Sequence, residues 1–246
     1  MQAFLAKATE KTSEYSAIFK HLSVEETKTF ETFDETERLE NQLTVLSDLI
    51  IYESETDKSN LGEFRNIREV DGKVIKDSNK RTTKLFAKIA DAESFEDELK
   101  KLNKEGSRYD IGMNIYGLTS SQPIPLNLDL LSSFKFEEIG REIIEGNVAI
   151  AVKFQQITVN SELELNIDTP DILEATNKFC RGIIWLDLKN HQILKLLVEI
   201  TFDSPKFTEP FVVMKQEYFY RPSDFNIYLP RKIVTENFRV RLNFSV

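Results

Sequence analysis

The feature that most constrains this chain is an alternation of apolar and polar residues in its second half. Residues 181–202 place apolar side chains at every second position of one face, on both sides of a polar turn: Ile184, Leu186, Leu188, Leu194, Leu196, Val198, Ile200 and Phe202. Strand side chains point alternately to the two faces of a sheet, so this pattern predicts a hairpin with one buried face. The alternation recurs at 148–154, 212–220 and 234–246. Parallel strands, buried on both faces, would not alternate, and an antiparallel sheet is therefore predicted.

The first half of the chain adds helices and further strands. Residues 2–20 show the apolar spacing of an amphipathic helix, and residues 78–106 that of a charged helical pair. Asp71-Gly72 predicts a tight hairpin, because both residues tolerate positive φ. Two stretches rich in β-branched and aromatic residues are predicted as strands: 21–33 and 43–53.

These elements predict a mainly β (α+β) fold. About eight to ten strands are too many to stay flat, so the sheet should curl. The result would be a large curved antiparallel sheet, or an incomplete barrel, wrapped around a few helices. The sequence contains no linker, low-complexity tract or internal repeat, which favours one domain over residues 1–246 with a helical insertion at about 78–106.

Charge and composition narrow the classes of partner. The net charge is −9, so neither nucleic acid nor an anionic membrane surface is expected to bind.

No apolar run approaches the roughly 18 residues of a transmembrane helix. Residues 1–15 also lack the order of a signal peptide. Eighteen Phe residues against one Trp predict a core rich in Phe.

No group of residues predicts catalysis or metal binding. Cys180 is the single cysteine and is expected to pack as a small apolar group. His21 and His191 have no further ligand at zinc spacing. The sequence therefore predicts no catalytic residue, no metal, no cofactor and no enzyme activity. Acidic pairs are expected on solvated faces rather than across a cleft: Glu25-Glu26, Glu137-Glu138 and the run Glu96, Asp97, Glu98.

Trp185 lies on the polar face of the predicted hairpin. It stands beside Ile183 and across from Lys195 or Glu199. Two interpretations stay open: a contact for a protein partner, or a residue covered by a second layer of the protein.

Four short motifs carry a resemblance to a known family: Arg68–Val74, Arg108–Gly112, Gly182–Asp187 and Tyr228–Pro230. Together with the order of helix, strands, helical insertion and hairpins, they resemble the bacterial lipoprotein-carrier fold, the LolA/LolB-like family. Uncharacterised secreted bacterial proteins of that fold are similar as well. The resemblance implies a curved sheet that leaves an apolar cavity beside its helices, and a periplasmic or secreted location. It supplies no catalytic residue.

The pattern and the resemblance together predict non-catalytic binding or carriage of a lipid-like or lipidated hydrophobic ligand at the concave face of the sheet. The alternative is a structural or assembly module whose core is filled by its own side chains, a role that the Phe-rich composition favours. A hydrophobic ligand and a protein partner are the partners that the sequence leaves open. The candidate cavity-lining residues are Ile150, Val152, Phe154, Leu186, Leu196, Val198, Met214, Phe238 and Val240.

Overall fold

The computed structural model describes residues 2–19, 23–54, 56, 61–111, 126, 128–158, 177–203, 210–224 and 228–238. Contacts within the chain define two compact units. One consists of Met1–Tyr15 with Gln122–Val246, and the other of Ser16–Ser121. We call them the six-stranded unit and the four-stranded unit after their sheets. The single domain expected over 1–246 stays a prediction.

Ten strands, three α-helices and a short 3-10 helix at Leu128–Ser133 make up the described elements. The helices are α1 (Gln2–Phe19), α2 (Ser78–Ala90) and α3 (Phe95–Gly106). The strands are β1 (Ser23–Phe33), β2 (Leu39–Glu53), β3 (Leu61–Val70), β4 (Lys73–Val74), β5 (Phe134–Ile144), β6 (Asn147–Gln156), β7 (Asn177–Asp187), β8 (Ile193–Asp203), β9 (Phe211–Pro222) and β10 (Tyr228–Asn237).

The mainly β fold is confirmed, and all described strand pairs are antiparallel. The described strands form two sheets rather than one, in the orders β1-β2-β3-β4 and β10-β9-β8-β7-β6-β5. The last strand of the first sheet, β4, has two residues, and helices α2 and α3 follow it in the chain. Neither sheet closes into a barrel. Among the described residues, no helix is long and apolar enough to cross a bilayer.

Two tight turns join neighbouring strands, and the first confirms the hairpin predicted at Asp71-Gly72. Asp71 and Gly72 join β3 to β4 with φ values of 48° and 70°. Glu145 and Gly146 join β5 to β6 with φ values of 48° and 84°. A turn with two consecutive positive φ values matches the twist of the strands that flank it.

Helices α2 and α3 pack against β3 in the four-stranded unit. Phe64 of β3 is buried in a cluster with Leu85 and Ile89 of α2 and Leu102 of α3. The ring of Phe86 meets the ring of Phe64 edge-on, with centroids 5.1 Å apart. The apolar stripe of each helix thus covers the apolar residues of the strand.

Charged side chains are also buried in the four-stranded unit. The Arg65 guanidinium donates to both carboxylate oxygens of Glu26, at 2.6 and 2.9 Å, and lies 2.8 Å from Glu63. Lys28 donates to Asp110 at 2.6 Å, and burial lowers the pKa of Lys28 although Asp110 partly offsets that effect. A buried charge is tolerated only with such partners, and loss of one partner typically costs about 3–5 kcal/mol.

Glu98 of α3 anchors the chain that follows β2. Its side chain is fully buried, and one carboxylate oxygen accepts hydrogen bonds from the Ser54 hydroxyl at 3.0 Å and the Thr56 backbone N–H at 2.8 Å. The acidic run of α3 is therefore only partly solvated. Glu26 was also expected to be solvated, but its carboxylate is bound by Arg65.

Gly182 marks a close approach inside the six-stranded sheet. A β-carbon built at this position would lie 1.9 Å from the Leu197 carbonyl oxygen and 2.8 Å from the ring of Phe154. Both neighbours are held by strand pairing, since Phe154 pairs with Gly182 and Leu197 pairs with Ile183. A side chain at this position would have to displace backbone.

We expect Gly182→Ala to lower the free energy of unfolding by at least about 2 kcal/mol, because the new methyl group overpacks a fixed site. Urea denaturation measures this change. Gly106→Ala is the matched control, because its β-carbon would meet Arg65 at an ordinary 3.6 Å. Equal stabilities for the two variants would contradict the close approach.

Candidate functional site

Alternate residues of β6, β7, β8 and β9 form one continuous apolar face. Ile150 pairs with Leu186, and Val152 pairs with Ile184. Ile184 in turn pairs with Leu196. Directly paired residues point to the same side of a sheet, so these side chains share one face across neighbouring strands.

Seven of the nine predicted lining residues lie on this face, which we call the inner face, and each is at most 8% exposed: Ile150, Val152, Phe154, Leu186, Leu196, Val198 and Met214. The alternation therefore predicted both the face and its burial. That these residues bind a ligand stays a prediction.

The other two predicted residues do not join the inner face within the described chain. Strand β10 ends at Asn237, and Phe238 is 48% exposed. The expectation that Phe238 lines a cavity is therefore wrong in this structure. Val240 lies outside the described residues.

The register of β10 explains the error at Phe238. Thr235 pairs with Gln216 and Asn237 pairs with Met214, so these polar residues of β10 point to the inner face. Val234, which alternates with them, points to the opposite side, as Phe238 would if the strand continued. Within the described residues 234–238 the predicted alternation was correct, but its apolar side was assigned to the wrong face; the rest of the run to 246 stays a prediction.

Two polar side chains of the inner face, Gln156 and Gln216, have partners within the same unit. The Gln156 side chain accepts a hydrogen bond from the Cys180 backbone N–H at 2.9 Å and donates to the Thr158 carbonyl at 2.8 Å. The Gln216 side chain accepts from the Tyr218 hydroxyl at 3.3 Å. The face therefore offers apolar surface with few polar groups, which is typical of sites for hydrophobic molecules.

Helix α1 lies at one end of the inner face. The Phe4 ring contacts the His191 ring, with centroids 4.7 Å apart. A cavity of about 20 Å³, large enough for roughly one water molecule, lies between α1 and the ends of the strands, lined by Ala8, Lys11, Thr12, Gln192, Ile193, Tyr220 and Tyr228. Burial raises the pKa of Tyr220, and the neighbouring Tyr218 adds to this effect.

The sequence prediction missed this cavity, and none of its nine candidate residues lines it. The lining residues come from α1, the β7–β8 turn, the start of β8, β9 and β10, and α1 is far from the others in the sequence. Tyr220 shares the alternation of β9, so its burial could have been inferred from the same pattern. The contribution of α1 could not, because the residues that it buries are mostly small or polar.

Trp185 packs on the opposite face of the same sheet. It is buried in a cluster with Ala149, Ala151 and Leu194, and the Lys195 ammonium lies 5.0 Å from the centre of its ring. The Trp185 indole N–H is buried and has no hydrogen-bond acceptor among the described residues. Trp185 is therefore part of a core cluster, which agrees with the covered-residue interpretation.

Cys180 and Glu25, two of the side chains considered for catalysis, occupy structural positions. Cys180 is fully buried on the inner face, and this burial raises its pKa to about 12. Glu25 forms an ion pair with Arg68. His21 lies outside the described residues. The described part of the chain contains no group of three or more His, Cys, Asp or Glu side chains placed to hold a metal ion.

We expect Cys180 to resist alkylation by iodoacetamide at neutral pH in the folded protein. The thiolate is the reactive form, and a pKa of about 12 leaves almost none of it below pH 9. Mass spectrometry should detect modification only after denaturant is added. Rapid alkylation of the folded protein would contradict the burial of this thiol.

Comparison with known proteins gives a structural likeness but no sequence match. No protein-family model matches the chain, and no curated protein sequence matches it. The chain is similar to the crystal structure of a proposed outer membrane lipoprotein-sorting protein domain from Vibrio parahaemolyticus. The two sequences are 12% identical, the match covers 93% of this chain and 86% of that chain, and the TM-score is 0.29. This description agrees with the family that the sequence motifs resemble. At this TM-score the likeness transfers no ligand and no residue role.

Proposed function

We propose that the chain binds a lipid-like or lipidated hydrophobic molecule, without catalysis, at the inner face of the six-stranded unit. The observation that carries this proposal is the continuity of the apolar face across four strands, β6 to β9. Gln156 and Gln216 on this face already have hydrogen-bond partners, so an acyl chain could lie there without separating them from those partners. A charged headgroup would stay in water.

Access to the end of the inner face beside Tyr220 would require α1 to move. Among the described side chains of α1, the buried ones are Leu5, Ala8, Thr9 and Thr12. The Thr9 hydroxyl donates to the Leu5 carbonyl, and the Thr12 hydroxyl donates to the Thr9 and Leu126 carbonyls. Leu5 is the large apolar group among these four, worth about 1.5–3 kcal/mol on full burial. An acyl chain could replace the contribution of Leu5.

A periplasmic or secreted location is part of the proposal. It rests on the motifs that resemble the lipoprotein-carrier fold. In that location the chain would deliver the bound molecule to another protein. The proposal therefore includes a protein partner.

One observation favours the alternative, a structural module with a self-filled core. The Phe154 ring meets the Phe134 ring edge-on at 5.9 Å and occupies the space above Gly182. Close packing of this kind leaves little room at that end of the inner face. The two functions differ in whether a hydrophobic probe binds saturably.

We expect the protein to bind a dansyl-labelled fatty acid saturably, and Met214→Trp to weaken that binding by roughly tenfold, about 1.4 kcal/mol. The larger ring would fill space on the inner face. Fluorescence titration measures the Kd, and circular dichroism checks folding. Val234→Trp is the matched control, because Val234 points to the opposite side of the sheet. Absence of saturable binding by the unaltered protein would leave the structural module.

Leu5→Ala tests whether α1 covers the site. If α1 must move before the probe binds, a variant with a more weakly held helix should bind the probe more tightly, by about three- to tenfold. Ala3→Ser, at an exposed position of the same helix, should leave the Kd unchanged. Unchanged or weaker binding by a folded Leu5→Ala variant would contradict a covering role for α1.

A further inference from the structure

The inner side of the six-stranded sheet becomes exposed at its border with β5, an outer strand. Along β6, the exposed fraction of the side chains on this side falls from 48% at Val148, beside the β5–β6 turn, to 5% at Ile150 and 0% at Val152. Ile143 of β5 pairs directly with Val148 and is 76% exposed. Two apolar side chains on the inner side of the sheet thus reach solvent next to buried ones.

Arg141 lies at the same border. It pairs directly with Ile150, so its side chain points to the inner side of the sheet, and it is exposed. It alternates with Ile143 along β5, which makes the two side chains neighbours on that side. We call Arg141, Ile143 and Val148 the rim. A guanidinium therefore lies at the edge of an apolar face.

The Arg141 guanidinium has no partner among the described residues. No carboxylate of this part of the chain forms an ion pair with it, and no hydrogen bond involves its side chain. Arg221 of β9, by contrast, donates to the Glu145 carboxylate through three hydrogen bonds of 2.7, 3.0 and 3.1 Å. The five N–H donors of Arg141 are therefore available to a group from outside the chain.

The residues of the rim indicate the class of ligand. Arginine presents a planar set of donors that matches the oxygens of a carboxylate or a phosphate. The apolar side chains next to it, Ile143 and Ile150, offer burial to an alkyl chain. A molecule that has both parts is an amphiphile with an anionic headgroup.

Glu138 limits the charge of that headgroup. It pairs with Val152, so it also points to the inner side, and it is exposed. Its negative charge opposes a headgroup with two negative charges more strongly than a headgroup with one. A carboxylate or a phosphodiester, each with a single negative charge, therefore fits this border better than a phosphate monoester.

We propose that the rim binds the singly charged anionic headgroup of an amphiphile whose alkyl chain lies on the inner face. Arg141 pairs with the headgroup, and Ile143 and Val148 contact the first part of the chain. The headgroup stays in contact with water, because all three rim residues are exposed. This assignment rests on the proposed function, since the alkyl chain needs the inner face.

Two fluorescent probes test the role of Arg141 in the full chain. The dansyl-labelled fatty acid carries a carboxylate, and its methyl ester has the same chain without the charge. We expect Arg141→Gln to weaken binding of the acid by about three- to fivefold, as is typical for the loss of an exposed ion pair, and to leave binding of the ester unchanged. Fluorescence titration measures both Kd values, and circular dichroism checks folding.

Arg231→Gln is the matched control. Arg231 is an exposed arginine of β10, the other outer strand of the same sheet, and its loss should leave both Kd values unchanged. Arg141→Gln without effect on the acid, or with an equal effect on the ester, would overturn the proposal. Inner-face binding would then stand, and Arg141 would only protect an outer strand from pairing with another molecule. If neither probe binds saturably to the unaltered protein, the proposed function fails as well.

Ile143→Ser tests the apolar part of the rim. It should weaken binding of both probes by about threefold, because it removes apolar surface from the path of the chain. Ile157→Ser is its control, since Ile157 is 57% exposed and follows the opposite end of β6. Equal effects of the two serine variants would contradict a contact at the rim.

Competition against the labelled acid identifies the headgroup. Laurate carries a carboxylate, lysophosphatidylglycerol carries a phosphodiester, and inorganic phosphate has no alkyl chain. We expect the two amphiphiles to displace the probe, and displacement by one alone would assign the headgroup to its chemistry. Displacement by neither amphiphile, or by inorganic phosphate at the same concentration, would overturn the amphiphile as the ligand of the rim.

Discussion

The pairing register of β6, β7, β8 and β9 is the constraint on which the six-stranded unit depends. It places the apolar residues of four strands on one side and brings Gly182 under the ring of Phe154. A shift by one residue would turn every side chain to the other face. It would also put a β-carbon in place of Gly182 at the close approach to Leu197. The inner face, its burial and the position of Cys180 all follow from this register.

The sequence alternation predicted most of this face because β6 to β9 follow a period of two over most of their length. A register shift at the start of β8 puts Ile193 opposite Leu186 and moves Leu194, which was predicted on this face, into the Trp185 cluster on the other side. The prediction of which residues face inward failed in β10, because the sequence pattern lacks the information that decides this at an edge strand. A polar–apolar alternation defines two faces but does not say which one meets the core when the strand is at an edge. There both sides stay partly exposed, as the half-buried Ile233 and Val234 illustrate, so polarity no longer identifies the inner side.

The buried ion pair of Arg65 lay beyond the sequence analysis for a reason of distance. Arg65 is buried beside Glu26, which is 39 residues away in the chain and reaches it from β1. A pattern that covers a few neighbouring residues cannot indicate such a pair.

The shift in register at Pro230–Lys232 of β10 also affects how the molecule behaves at high concentration. β10 is an outer strand of the described sheet, and β5, the other outer strand, carries a similar irregularity between Glu138 and Gly140. An outer strand is a template for a strand from another molecule, and bulges and prolines interrupt that template. Pro230 has no N–H to donate, and Gly140, with a φ of 150°, bends the ladder on the other side. Both borders of the sheet are thereby poor starting points for aggregation.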